Sequence, residues 1–198
     1  NIYTQKSISK SCCFAAANHC TRCSIFCRNF YTMHLDYDFL SSKLGLILLA
    51  TQHNTLCWLS VGEDKTVLLD ELQQQYPRAV LQQNSQLNPI YAQALQQYFS
   101  DATISASLPL APLGTPWQQR IWQELQKIPS GQHLSYSELA ERCGKPKAAR
   151  AAASACAQNP ISLFIPCHRI IAKSGALGGY RWGIDKKQWL LNWEKTTN

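Results

Sequence analysis

A thiol beside an imidazole, placed just after a proline, is the arrangement in this chain best suited to nucleophilic chemistry: Ile165-Pro166-Cys167-His168-Arg169. Proline ends a helix and keeps the residue before it extended, so Cys167 is expected on a fixed turn or strand end. A thiol attacks as its thiolate, and a neighbouring imidazole or cation lowers its pKa. A buried cysteine is equally an inert packing residue. The pair alone leaves both readings open.

The elements that would hold this pair fall on either side of a proline-spaced segment. Leu44 to Ala50 and Thr55 to Val61 are apolar runs around Gln52-His53-Asn54 and read as a β-hairpin. A helix is expected from Lys65 to Tyr76, ended by Pro77, then a short strand over Ala79 to Leu81. Asn88-Pro89 opens a second helix running to Phe99, with Ile90, Tyr91, Ala94, Leu95 and Tyr98 as its apolar face. Leu108 to Gly114 reads as a stiff linker and a domain boundary. Thr115-Pro116 caps a helix to Lys127 with Trp117, Ile121, Trp122 and Leu125 as one stripe. Ser135 to Arg142 and Lys147 to Ala157 are short helices around Cys143-Gly144-Lys145-Pro146, a helix-turn-helix pattern. The second is almost all small residues, with one long basic side chain, Arg150. A helix of that composition lies flat in a narrow space: a tight core, or a nucleic-acid groove.

Charge divides the chain. Twelve Lys or Arg face five Asp or Glu from Arg120 onward, whereas Asp36 to Gln119 carries three basic and seven acidic residues. A basic second half fits a phosphate-facing surface, and equally a solvated basic face. Five of the nine cysteines crowd the first 27 residues. Cys57, Cys143, Cys156 and Cys167 are scattered through regular elements and read as reduced, which places the protein in the cytoplasm. No apolar run is long enough to span a bilayer, so no membrane association is expected. Residues 1 to 34 include the only methionine, Met33, and the earlier part is basic and free of acids. They read first as a disordered leader or non-native extension, then as a targeting segment, then as a zinc site at Cys20, Cys23 and Cys27. No cofactor motif is present, and no metal is expected in the chemistry.

Six segments, in order, carry a resemblance: Pro116 to Trp122, Leu134 to Ala140, Lys145 to Ala151, Gln158-Asn159-Pro160, Ile165 to Arg169, and Gly178 to Gly183. Together they resemble the O6-alkylguanine-DNA alkyltransferases, and the likeness continues more faintly back to Leu35. The resemblance implies an α/β (α+β) chain: a small RNase-H-like domain over 35–107 and a winged helix-turn-helix catalytic, DNA-binding domain over 115–198. It implies a monomer that flips O6-methylguanine, and O4-methylthymine, out of double-stranded DNA. The alkyl group passes irreversibly to a cysteine.

The resemblance also assigns roles. Cys167 is the nucleophile, His168 its base acting through a water, and Glu194 the carboxylate that orients the imidazole. Tyr136 assists extrusion and protonates the leaving base, while Asn159 stabilises the loop that leads to the cysteine. Arg150 fills the emptied stack; Ala148, Ala149 and Ser135 contribute to the DNA surface. Pro166, Ile170, Tyr180, Arg181 and Trp182 form the pocket. Trp182 is expected to narrow it against benzyl adducts. Arg169 is expected to bind carbonyls or a carboxylate near the cysteine, with a phosphate contact as the second reading. Two rivals stand beside this one. A non-enzymatic DNA-binding regulator would have no use for Cys167, and a thiol hydrolase would leave Tyr136 and the basic helix unexplained.

Overall fold

Alternation of Leu35, Tyr37 and Phe39 with Asp36 and Asp38 builds the first strand, in a computed structural model that describes residues 33–87, 89–104 and 107–197. Of the expected leader over 1–34, residues 1–32, with the zinc alternative at Cys20, Cys23 and Cys27, lie outside the described residues, as does Asn88. Strand β1 (His34–Ser42) begins within the span expected to be leader, because His34 and Leu35 already pair with Val80 and Leu81.

The expected hairpin is present as β2 (Gly45–Gln52) and β3 (Thr55–Gly62), antiparallel. Helix α1 (Lys65–Gln75) is capped by Asp64, whose carboxylate accepts from the amides of Thr66 and Val67. Strand β4 (Val80–Gln83) then lies parallel to β1, giving the sheet order β3-β2-β1-β4.

Both faces of this sheet are covered, which is why β2 and β3 read as continuous apolar runs. Leu48, Ala50, Cys57 and Trp58 pack with Leu68 and Leu72 of α1. A bulge at Ala50/Thr51 turns Cys57 and Trp58 to that same side. Ile47, Leu49, Leu59 and Val61 face the other way, against α2 (Pro89–Asp101) and the second half of the chain.

The second half is helical: α3 (Pro116–Leu125), α4 (Tyr136–Arg142), α5 (Ala149–Ala157) and α6 (Ile184–Thr197). Two capping boxes begin α3 and α4, Thr115 with Gln118 and Ser135 with Glu138. Between helices, β5 (Leu134–Ser135) and β6 (Ile170–Ile171) form a short parallel pair. The architecture is the mixed α/β one expected, a small sheet unit followed by a helix-turn-helix unit.

The segment expected to be a linker is instead annealed to the sheet. Leu56 N donates to Pro109 O and Ala111 N donates to Leu56 O. The Tyr91 hydroxyl donates to the same Pro109 carbonyl at 2.9 Å. Prolines set this segment extended, and an extended chain beside β3 finds backbone partners there. One hydrophobic cluster therefore runs from Leu44 through Trp122 to Leu190. Among the described residues, no helix is long and apolar enough to cross a membrane.

Candidate active site

The loop from Asn159 to Pro166 is almost wholly buried and is held by its first residue. Asn159 Nδ2 donates to Ile165 O at 2.7 Å, and its Oδ1 accepts from Ile161 N at 3.1 Å. Leu163 takes a left-handed backbone, φ 68°, which is costly for a branched residue and is kept by the packing around it. Leu59 pairs with Ile161 as a β-bridge, fixing the loop to the sheet. The chain then closes Cys167–Arg169 as a single 3-10 turn and continues into β6.

Within that turn the three side chains diverge. His168 is fully buried, and its Nε2 lies 2.8 Å from Glu194 Oε1. Arg169 reaches the same carboxylate from Nε at 3.0 and 3.2 Å and from Nη2 at 2.8 Å, and also donates to Ile128 O. Glu194 Oε2 accepts from Gly131 N at 3.3 Å, and Oε1 accepts from the Tyr98 hydroxyl at 2.8 Å. Burial alone would raise the Glu194 pKa, but His168 and Arg169 hold it down at about 2. This carboxylate is therefore ionised and accepting, and His168 Nε2 must be the donor. His168 Nδ1, buried and without a partner among the described residues, carries the lone pair.

Burial pushes the His168 pKa below its usual value, outweighing the pull of Glu194, so the imidazole is neutral at neutral pH. Burial likewise pushes the Cys167 thiol up, against opposing hydrogen bonds from Asn159 and Ser162 and the charge of Lys187. Ser162 Oγ stands 3.8 Å from Cys167 Sγ. The pair thus rests as thiol and neutral imidazole. Ionisation of the thiol must be coupled to proton uptake by a base.

Cys167 opens on a cavity of about 380 Å³ lined by Tyr136, Ala153, Cys156, Asn159, Gly179, Tyr180 and Arg181 among others. The hydroxyl of Tyr180 is buried without a partner among the described residues, although the residue as a whole is half-buried. Gly178 has φ +68°, and a Cβ there would stand 3.2 Å from Tyr136 Oη, so the wall approaches Tyr136 only through glycine. The Arg181 guanidinium lies over the Trp58 ring, 4.8 Å from its centroid.

Of the residues expected in the pocket, Tyr180 and Arg181 line this cavity and Trp182 does not. Trp182 instead meets Tyr180 edge-on at 5.3 Å and supports it from outside the cavity. Pro166 and Ile170, also expected in the pocket, are buried and do not line this cavity. The Ile170 carbonyl accepts from Lys187 Nζ at 2.6 Å. Ser135, expected on the DNA surface, is buried and its Oγ caps α4 through Glu138 N at 3.2 Å. Arg169 fulfils the carbonyl-and-carboxylate expectation and not the phosphate one.

Helix α5 presents Arg150, exposed, and the half-buried Ala148 and Ala149 at its start. Its inner side, Ala152 and Ala155, packs in the core. Trp117 Nε1 and Trp122 Nε1 donate to the carbonyls of Ala151 and Ala155, at 3.3 and 2.9 Å, so α3 grips α5 by its backbone. Small side chains permit that approach.

Sequence reasoning missed Tyr98 as more than a core residue, and missed Ser162 and Lys187 altogether. Lys187 is 1% exposed, and its Nζ also donates to Leu177 O. A signal existed: Lys187, Leu190 and Glu194 fall at i, i+3 and i+7, a stripe that α6 buries.

Residues 35–112 match the ribonuclease-like domain of the 6-O-methylguanine DNA methyltransferases, and residues 116–196 match their DNA binding domain. A methylated-DNA–protein-cysteine methyltransferase of Methanosarcina barkeri is 38% identical over 159 residues, covering 80% of this chain and 96% of that protein. This chain belongs to that family. The family also includes the bifunctional transcriptional activator and DNA repair enzyme Ada of Escherichia coli, 39% identical over 161 residues. That alignment takes in 80% of this chain and 45% of Ada, so the chain spans less than half of that relative's length. Among solved structures, Mycobacterium tuberculosis OGT in complex with DNA has a TM-score of 0.71 and 33% identity, over 83% of this chain and 94% of that one.

Proposed function

We propose that this protein repairs alkylated DNA by taking a methyl group from O6 of guanine, and from O4 of thymine, onto Cys167. The carrying observation is a buried thiol that lines a cavity, next in sequence to an imidazole held by a buried carboxylate, whose remaining ring nitrogen has no partner among the described residues. His168 Nδ1 takes the thiol proton, through a water, as Sγ attacks the methyl carbon. The S–CH₃ bond forms and the CH₃–O6 bond breaks. The electron pair passes to guanine, which gains one proton from Tyr136; Tyr136 is reprotonated by way of solvent, to which the His168 imidazolium returns the thiol's proton. Across the reaction, one proton leaves the thiol and one arrives on the base.

The product is a thioether, a bond that water does not cleave under ordinary conditions. The protein is therefore consumed one molecule per lesion. A target base inside a duplex lies out of reach of a buried thiol, so the nucleotide must be extruded. Arg150 on α5 then enters the stack from which it left. The protein acts as a monomer on double-stranded DNA in the cytoplasm, and the small-residue face of α5 supports entry into a narrow groove.

The test follows label from O6-[methyl-³H]guanine DNA at substoichiometric protein. Transfer predicts one methyl bound per protein and then arrest. Release of labelled methanol with continuing turnover would establish hydrolysis instead.

A further inference from the structure

A side chain of the sheet unit reaches the Glu194 carboxylate directly. Tyr98, on α2, is fully buried, and its hydroxyl donates to Glu194 Oε1 at 2.8 Å, the same oxygen that His168 Nε2 meets at 2.8 Å. The two helices are joined a second time where Trp193 Nε1 donates to the Tyr98 carbonyl at 3.0 Å. Burial and the facing Glu194 charge both hold the Tyr98 phenol protonated, so it meets the carboxylate as the donor.

We propose that Tyr98 is a positioning residue for alkyl transfer, fixing the Glu194 carboxylate and restraining the basicity of His168. The inference rests on His168 acting as the base in the function proposed above. A donor on Oε1 neutralises part of the carboxylate's charge. With that donor gone, Glu194 stabilises an imidazolium more strongly, and His168 protonates at higher pH. The other groups facing this pair are Arg169 and Cys167 from the 3-10 turn, Lys187 from α6 and Tyr180 from the pocket wall. All of them remain when only the Tyr98 hydroxyl is removed. Arg169 and Gly131 still hold the carboxylate, so the fold keeps most of its polar partners there.

Tyr91 supplies an internal control on the same helix. Its hydroxyl bonds Leu56 N, Asn54 O and Pro109 O and is not a partner of Glu194. The experiment is the pH dependence of single-turnover methyl uptake from O6-methylguanine duplex DNA by the full chain, its Tyr98→Phe variant and its Tyr91→Phe variant. Tyr98→Phe is expected to move the acid limb up by about half a pH unit or more, the scale of losing one charge-assisted bond. Its plateau rate should fall severalfold. Tyr91→Phe should lower thermal stability and leave the limb in place.

A second probe keeps the ring and hydroxyl: difluorotyrosine placed at position 98 donates more strongly and should move the limb down. It tests the same bond even if Tyr98→Phe does not fold. An acid limb unmoved by either change at position 98, or moved equally by Tyr91→Phe, overturns the proposal. Absence of methyl uptake by the unmodified protein is a separate result, one that removes the transfer reading itself.

Discussion

Donors from His168, Arg169, Tyr98 and Gly131 converge on Glu194, and their convergence explains how a carboxylate with no exposed surface stays charged. Replacing Cys167 with alanine should abolish methyl uptake while leaving affinity for lesion DNA within about twofold, since the thiol contributes little to groove contacts; gel-shift and label-transfer assays separate the two. The sign of the pH dependence follows from His168. Its folded pKa lies below 6.5, so it is a base at neutral pH, and the transfer rate should fall as pH drops through that lowered value. Stability should fall in the same direction. The unfolded imidazole binds a proton below about 6.5 while the buried one resists it, so stability declines from that pH downward until the folded pKa is reached. Glu194 adds a second loss, its contribution present in full above its unfolded 4.5 and gone as pH falls toward about 2. Thermal unfolding between about pH 7 and pH 3 checks both; a melting temperature that rises on acidification would contradict them. The Cys-His pair was legible in the sequence, and so was the need for a carboxylate. Tyr98 was not, because its pattern position on α2 is that of any core aromatic.

At the scale of elements, Asn159 ties the cysteine loop to itself with two bonds. Asn159→Ala leaves a buried carbonyl and a buried amide without that partner and should cost about 1–3 kcal/mol, with methyl uptake reduced at least tenfold as the loop loses its brace. Chemical denaturation and single-turnover rates measure the two effects. Helices α3, α4 and α5 were readable because their boundaries are written in local chemistry, Thr115-Pro116 opening α3 and Gly144 between α4 and α5. Strand β1 and helix α6 were not read. The alternation in β1 was there to see, whereas α6 sets Trp189, Leu190, Leu191 and Trp193 almost side by side, which blurs a helical period. Trp182 shows the limit of motif reading: its neighbour Tyr180 lines the cavity, whereas Trp182 meets that ring edge-on and is not among the lining residues.

For the whole molecule, the two halves share one core and one candidate active site. The proline segment read as a linker lies along β3, Leu59 bridges to Ile161, and Tyr98 reaches Glu194. Long-range pairing of this kind has no local signature, which is why the sequence suggested a looser joint than the structure has. The uneven charge was legible, and it carries a prediction. If the basic second half meets phosphates, affinity for duplex DNA should fall steeply and linearly in log–log terms with salt. Arg150→Ala should lower lesion affinity and slow transfer by about tenfold, the scale of losing one well-placed contact; a salt-insensitive complex would count against the groove assignment.

The most direct measurement is intact and peptide mass spectrometry after incubation with excess duplex DNA carrying a single O6-methylguanine. Alkyl transfer to Cys167 predicts one added methyl, on the peptide containing that residue, with unmodified guanine restored in the DNA. Protein of unchanged mass, or a methyl found on Cys156 or another residue, would contradict it.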